Sequence, residues 1–122
     1  MFAEELQTKL LDTVDALAEA LNAHFNAARE HAQAEHGYRL SRAKAFTVFA
    51  TDGTKRTVDH LNSMVDLQCD KEMLRVRLAE AEREALLERV RSLRTEVSAM
   101  QSILNAHREE AAAVRYGQSE RM

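Results

Sequence analysis

Proline is absent from the 122-residue sequence, and glycine stands only at Gly37, Gly53 and Gly117. These are the residues that break helices and build turns, so the chain has few places to reverse. Tryptophan is also absent and aromatics make up 5% of the residues, too few for an aromatic-walled ligand pocket. The single cysteine, Cys69, cannot close an internal disulfide, and nothing points to an oxidising compartment. No apolar run approaches the ~20 residues that span a membrane. The N-terminus carries Glu4 and Glu5 where a signal peptide would carry base. The expectation is a soluble, cytoplasmic protein.

What remains is rich in alanine, leucine, glutamate and arginine, all strong helix formers. Charged residues reach 30% with both signs interspersed, as on solvated helix faces. From Leu6 the apolar positions run Leu6, Leu10, Val14, Leu17, Leu21, Phe25, Ala28, in steps of three and four that place them on one helix stripe. Gly37 interrupts this pattern and marks a kink or a break. Thr51-Asp52-Gly53-Thr54 is the clearest punctuation: Gly53 can turn left-handed, and Asp52 or Thr54 can cap the next helix. A second helical pattern then runs from about 55 to 116, with the stripe Leu61, Met64, Leu74, Leu78, Ala81, then Leu86, Val90, Leu93, Val97, Met100, Leu104. Its phase slips near Gln68–Lys71, where a bend is expected around Cys69, and again near Ala81–Leu86.

The expected fold class is all-α: one long antiparallel helical hairpin of a single unit, with coiled-coil-like packing. Its helices cover about 4–50 and 55–116, its turn 51–54, and its frayed tail 117–122. A rod of this length cannot bury its stripe alone, so a homo-oligomer is expected. Leu86, Val90, Leu93, Val97, Met100 and Leu104 hold a 4-3-4-3-4 rhythm and are the candidate oligomerisation seam.

Net charge is −3, but its distribution is uneven. Residues 1–35 hold seven acids and two bases, residues 36–57 five bases and one acid, and the remainder twelve acids and ten bases. Within the central stretch Arg39, Arg42, Lys44, Lys55 and Arg56 lie among Tyr38, Phe46 and Phe49. Clustered bases attract a phosphate backbone and an exposed ring can stack on an unpaired base, so Tyr38 and these five cations are the candidate single-stranded DNA site. Phe46 and Phe49 are equally readable as core residues, and an acidic protein could use the same cations. The five histidines show no zinc-ligand spacing, and neither a nucleophile motif nor a phosphate loop is present. No metal, cofactor or enzymatic activity is expected.

Tyr38-Arg-Leu-Ser-Arg-Ala-Lys-Ala, the glycine turn Thr51-Asp-Gly-Thr, and the charged helix from Asp70 to Leu104 ending Ser98-Ala-Met-Gln-Ser-Ile-Leu come in an order seen in small helical proteins of tailed phages. In outline this resembles the UvsY-like recombination mediators of phages, over most of residues 4–108. The resemblance implies a ring-forming protein of the host cytoplasm that binds single-stranded DNA and recombination proteins. It implies no active site. The net acidic charge departs from that pattern, and the competing expectation is a coiled-coil interaction module: an adaptor, or a phage-type inhibitor of a host protein.

Overall fold

The computed structural model describes residues 2–120 of the chain, and each element among them is a helix: α1 (Phe2–Ala50), α2 (Val58–Gln68) and α3 (Asp70–Glu120). No helix among the described residues is long and apolar enough to cross a membrane. α1 passes through Gly37 without interruption. A helix interior tolerates one glycine at a cost of about 1 kcal/mol relative to alanine, which 49 residues of otherwise helix-forming sequence absorb.

The expected long second helix is two helices. α1 ends where Gly53 adopts φ +83°, a left-handed conformation that stops helical propagation. The connection is longer than the expected 51–54, because α2 starts only at Val58. There the side chain of Thr57 caps the helix by accepting from the His60 N–H at 3.2 Å. A single residue, Cys69 (φ −103°, ψ 18°), then separates α2 from α3. Its N–H still donates to the Val65 carbonyl, and its own carbonyl accepts from Met73, both at 3.0 Å, so the break leaves neither group orphaned. At the far end α3 continues through Gly117 to Glu120. The last two residues of the expected frayed tail lie outside the described residues.

Contacts divide the chain into two compact units. The first joins residues 2–22 of α1 to residues 87–120 of α3. The two segments run antiparallel: the Phe2 ring meets His107 edge-on at 6.4 Å, and Leu10 borders Gln101 and Leu104. Thr13 and Ala20 of α1 are buried here, as are Val90, Met100 and Leu104 of α3, with Leu93 and Val97 half-buried between. Thr13 keeps its hydroxyl satisfied by donating to the Lys9 carbonyl at 2.8 Å. Of the six candidates for joining subunits, Val90, Leu93, Val97, Met100 and Leu104 thus lie on the buried or half-buried side of α3 in this unit, and Leu86 is half-buried in the second.

The second unit covers residues 23–86. Ala27, His31, Ala34 and Ala45 are its buried positions on α1, and Val65, Cys69 and Val76 those of α2 and α3. Val65 is fully enclosed, and with Ala45 and Cys69 it forms the centre against which Tyr38 and Phe49 pack.

From Cys69 into α3 a strict 3-4 alternation is kept in each unit: Cys69, Glu72, Val76, Ala79, the exposed Arg83 and the half-buried Leu86 in the second, Val90, Leu93, Val97, Met100 and Leu104 in the first. The slip expected near residues 68–71 coincides with the break between α2 and α3 at Cys69, whereas that near 81–86 arises from following the leucines. Leu74 and Leu78 are 57% and 63% exposed, and the inward places beside them belong to Glu72, Val76 and Ala79. α1 shows the same substitution of small for large. Leu6, Leu10 and Leu17 face inward, but Leu21 and Phe25 are exposed while Ala20, Ala27 and Ala34 are buried.

Candidate nucleic-acid interface

The basic stretch lies wholly in the second unit, at the end of α1 and the connection to α2. Short local rules set its geometry. Asp52 accepts the Thr54 N–H at 3.0 Å, a turn-closing bond typical of aspartate. Four residues on, the Arg56 guanidinium grips both Asp52 carboxylate oxygens at 2.8 and 2.6 Å and donates a third bond to the Phe49 carbonyl at 2.6 Å. It also lies over the Phe49 ring, 5.8 Å from its centroid. Arg56 therefore closes the connection, and its side chain is only 13% exposed.

The pairing holds the Asp52 carboxyl at about 2, chiefly through the hydrogen bonds from Arg56 and then that from the Thr54 N–H, and Arg56 is raised in turn. A carboxyl depressed on folding stabilises the folded state above its unfolded value, near 4, and loses that contribution as pH falls toward 2. Acid titration followed by circular dichroism should show wild type losing stability in that window. Asp52→Asn should flatten the loss and start from a lower stability at neutral pH; an unchanged profile would remove Asp52 as its source.

Arg42 is committed as well. One Nη donates to the Asp66 carboxylate of α2 and lies 3.4 Å from the Tyr38 hydroxyl; the Asp66 hydrogen bond is the largest influence raising its pKa. Tyr38 packs its ring against the Ala45–Val65–Cys69 cluster and is half-buried. Arg39 is the freest arginine of the group, 78% exposed and 3.8 Å from Glu35. Lys44 and Lys55 are exposed, with no ion-pair partner among the described residues. Arg39 and Arg42 share an open groove of about 520 Å3 with Phe46 and Thr47. Lys44 lines a different one, of about 470 Å3, with Ser41, Val48, Phe49, Cys69 and Glu72. In that second groove burial and the nearby Glu72 carboxylate push the Cys69 thiol up, away from the reactive thiolate.

No family model, curated protein or solved structure matches this chain.

The six candidate residues therefore divide by role. Arg56, Arg42 and Tyr38 hold the unit together, Lys44 and Lys55 have no ion-pair partner among the described residues, and the exposed Arg39 keeps only its long contact to Glu35. No group of three or more His, Cys, Asp or Glu side chains that could hold a metal occurs among the described residues. Sequence reasoning overlooked the two neutralising acids. Asp52 was visible as the i,i+4 partner of Arg56. Asp66 was not, because only the fold brings it 24 residues back to Arg42.

Proposed function

We propose that this chain is a non-enzymatic helical interaction module that works by docking other helices onto its outer apolar faces. One observation carries the reading: many large apolar side chains lie outside, while most of the buried hydrophobics are small. Among the described residues the buried hydrophobics are four alanines, three valines, Cys69, Met100 and Leu104. Leu11, Leu21, Phe25, Leu67, Leu74 and Leu78 stand between 40% and 79% exposed. Soluble monomers rarely leave so much apolar surface in runs, and runs of this kind mark contact sites. Several of these residues keep helical spacing among themselves, as a coiled-coil partner would require.

The second reading, single-stranded DNA binding of the recombination-mediator type, draws support from one feature. Arg39 and the 44%-exposed Phe46 border the same open groove, an arrangement that suits a phosphate beside a stacked base. Internal pairing of Arg42 and Arg56 subtracts two of the five cations such binding would use. A titration of the protein into labelled single-stranded oligonucleotide, followed by anisotropy at low salt, separates the two. The interaction-module reading expects a flat signal. Salt-sensitive binding that falls on changing Arg39 and Lys44 to alanine would replace it with the DNA reading.

A further inference from the structure

Resting on the interaction-module reading, we infer that the outer face of α1 in the first unit receives a protein helix with a basic flank. Gln7, Leu11, Val14, Ala18 and Leu21 succeed one another in a 4-3-4-3 rhythm on this face. All five are exposed, Leu11 at 66%, Val14 at 41% and Leu21 at 40%. Each follows by one position a member of the line Leu6, Leu10, Thr13, Leu17, Ala20, which is buried or half-buried. One residue is a step of about 100° around a helix, so the stripe lies beside that line rather than on it. Apolar side chains at this spacing accept the knobs of another helix. The whole stripe falls within residues 2–22, inside one unit.

Charge selects the occupant. A further step of one residue leads from Leu11 to Asp12, from Val14 to Asp15 and from Ala18 to Glu19, so acids line the side of the stripe turned away from the buried line. With Glu4 and Glu5 they make five acids in residues 2–22, against the single base Lys9. All five are exposed, and none has an ion-pair partner among the described residues. On the other side Gln101, Asn105 and Arg108 border Leu10, so the partner's cations belong on the flank turned away from α3. Lysine or arginine suits that flank: the methylene stem covers the edge of the stripe while the charged head reaches the carboxylates beyond. The same carboxylates repel phosphate, which sets a nucleic-acid strand or an anionic bilayer aside as occupant.

The test uses the full chain and two labelled synthetic helical peptides. Both carry leucines in the same 3-4 spacing; one has lysines along a flank, the other glutamates. Anisotropy should show saturable binding of the lysine peptide that weakens as salt rises, and no binding of the glutamate peptide. Leu11→Gln with Leu21→Gln should weaken that binding at least about ten-fold with helix content unchanged, since both side chains are already exposed. Asp12→Lys, Asp15→Lys and Glu19→Lys combined should transfer the preference to the glutamate peptide. The same triple reversal at Glu80, Glu82 and Glu84 of the second unit should leave lysine-peptide binding unchanged. Failure of the lysine peptide to bind, equal binding of both peptides, indifference to the two glutamine changes, or equal losses from the two charge reversals would each overturn the proposal. So would a wild-type dimer in sedimentation that the glutamine changes dissolve, the face then being occupied by a second copy. A chain that ignores both peptides and single-stranded DNA would still leave the interaction-module reading standing with a different partner, whereas DNA binding would remove that reading itself.

Discussion

Val65→Asp should destabilise the chain by about 4 kcal/mol, the largest effect expected of any single substitution in this chain. Val65 has no measurable exposure and packs against Ala45 and Cys69, with Tyr38 and Phe49 closing around them. Two penalties add at this site. The valine's own burial is worth about 1.5–3 kcal/mol, and a carboxylate placed there finds no cation in the apolar cluster. Small helical proteins hold only about 5–15 kcal/mol in total, so the variant should be largely unfolded at moderate denaturant. Urea titration by circular dichroism reads the loss directly. The introduced carboxyl would have its folded pKa raised above the unfolded value. Its defect should accordingly shrink below pH ~4, where aspartate is protonated in both states. Val65→Ala, which removes only volume, should cost about 2 kcal/mol and show no such pH dependence. An equal effect of both variants would mean that Val65 is far less enclosed than it stands here.

A second expected result reverses the usual rule that adding apolar bulk helps. Ala27→Leu should cost about 1–3 kcal/mol, and adding Ala34→Leu should deepen the loss. Both alanines are 4% exposed inside the second unit, so a longer side chain at either has to displace the groups that already cover it. Leu78→Ala on the same unit removes a large hydrophobe, yet should stay within about 0.5 kcal/mol of wild type because that leucine is 63% exposed. Thermal and urea unfolding of the three variants, at one protein concentration, compares them on one scale. Stabilisation by Ala27→Leu would show that the helices are looser at this level than the alanines imply.

These two contrasts also explain what could be read from the sequence. Missing proline and sparse glycine were enough to establish an all-helical chain, and Gly53 was enough to place its reversal. The facing of the helices was not legible in the same way. Leu21 and Phe25 outrank Ala20 and Ala27 on any hydrophobic scale, so a stripe drawn through the largest side chains wanders from one face of α1 to another. Only the approach of a second helix decides that alanine is inside. The cationic stretch was legible as a cluster, but its availability was not, since that depends on Asp66 arriving from α2. The place of Glu72 on the inward line beside Val76 and Ala79 was hidden for a related reason: charged residues are not searched for there.

That inward line has a consequence for how the two helices of the second unit recognise their own alignment. Alanines repeated every seven residues on α1 are nearly equivalent to one another, so packing alone would tolerate sliding α3 by a whole heptad. Arg83 removes the degeneracy. Its guanidinium lies 3.4 Å from His31 Nδ1, and because arginine only donates, a hydrogen bond there has that nitrogen as its acceptor. Nε2 in turn lies 3.2 Å from Glu35, close enough for attraction though not aligned as a hydrogen bond. A slip of seven residues would carry Arg83 away from His31 and leave the buried imidazole without its donor. The polar layer thus contributes less to how tightly the helices hold than to which of several similar alignments they accept.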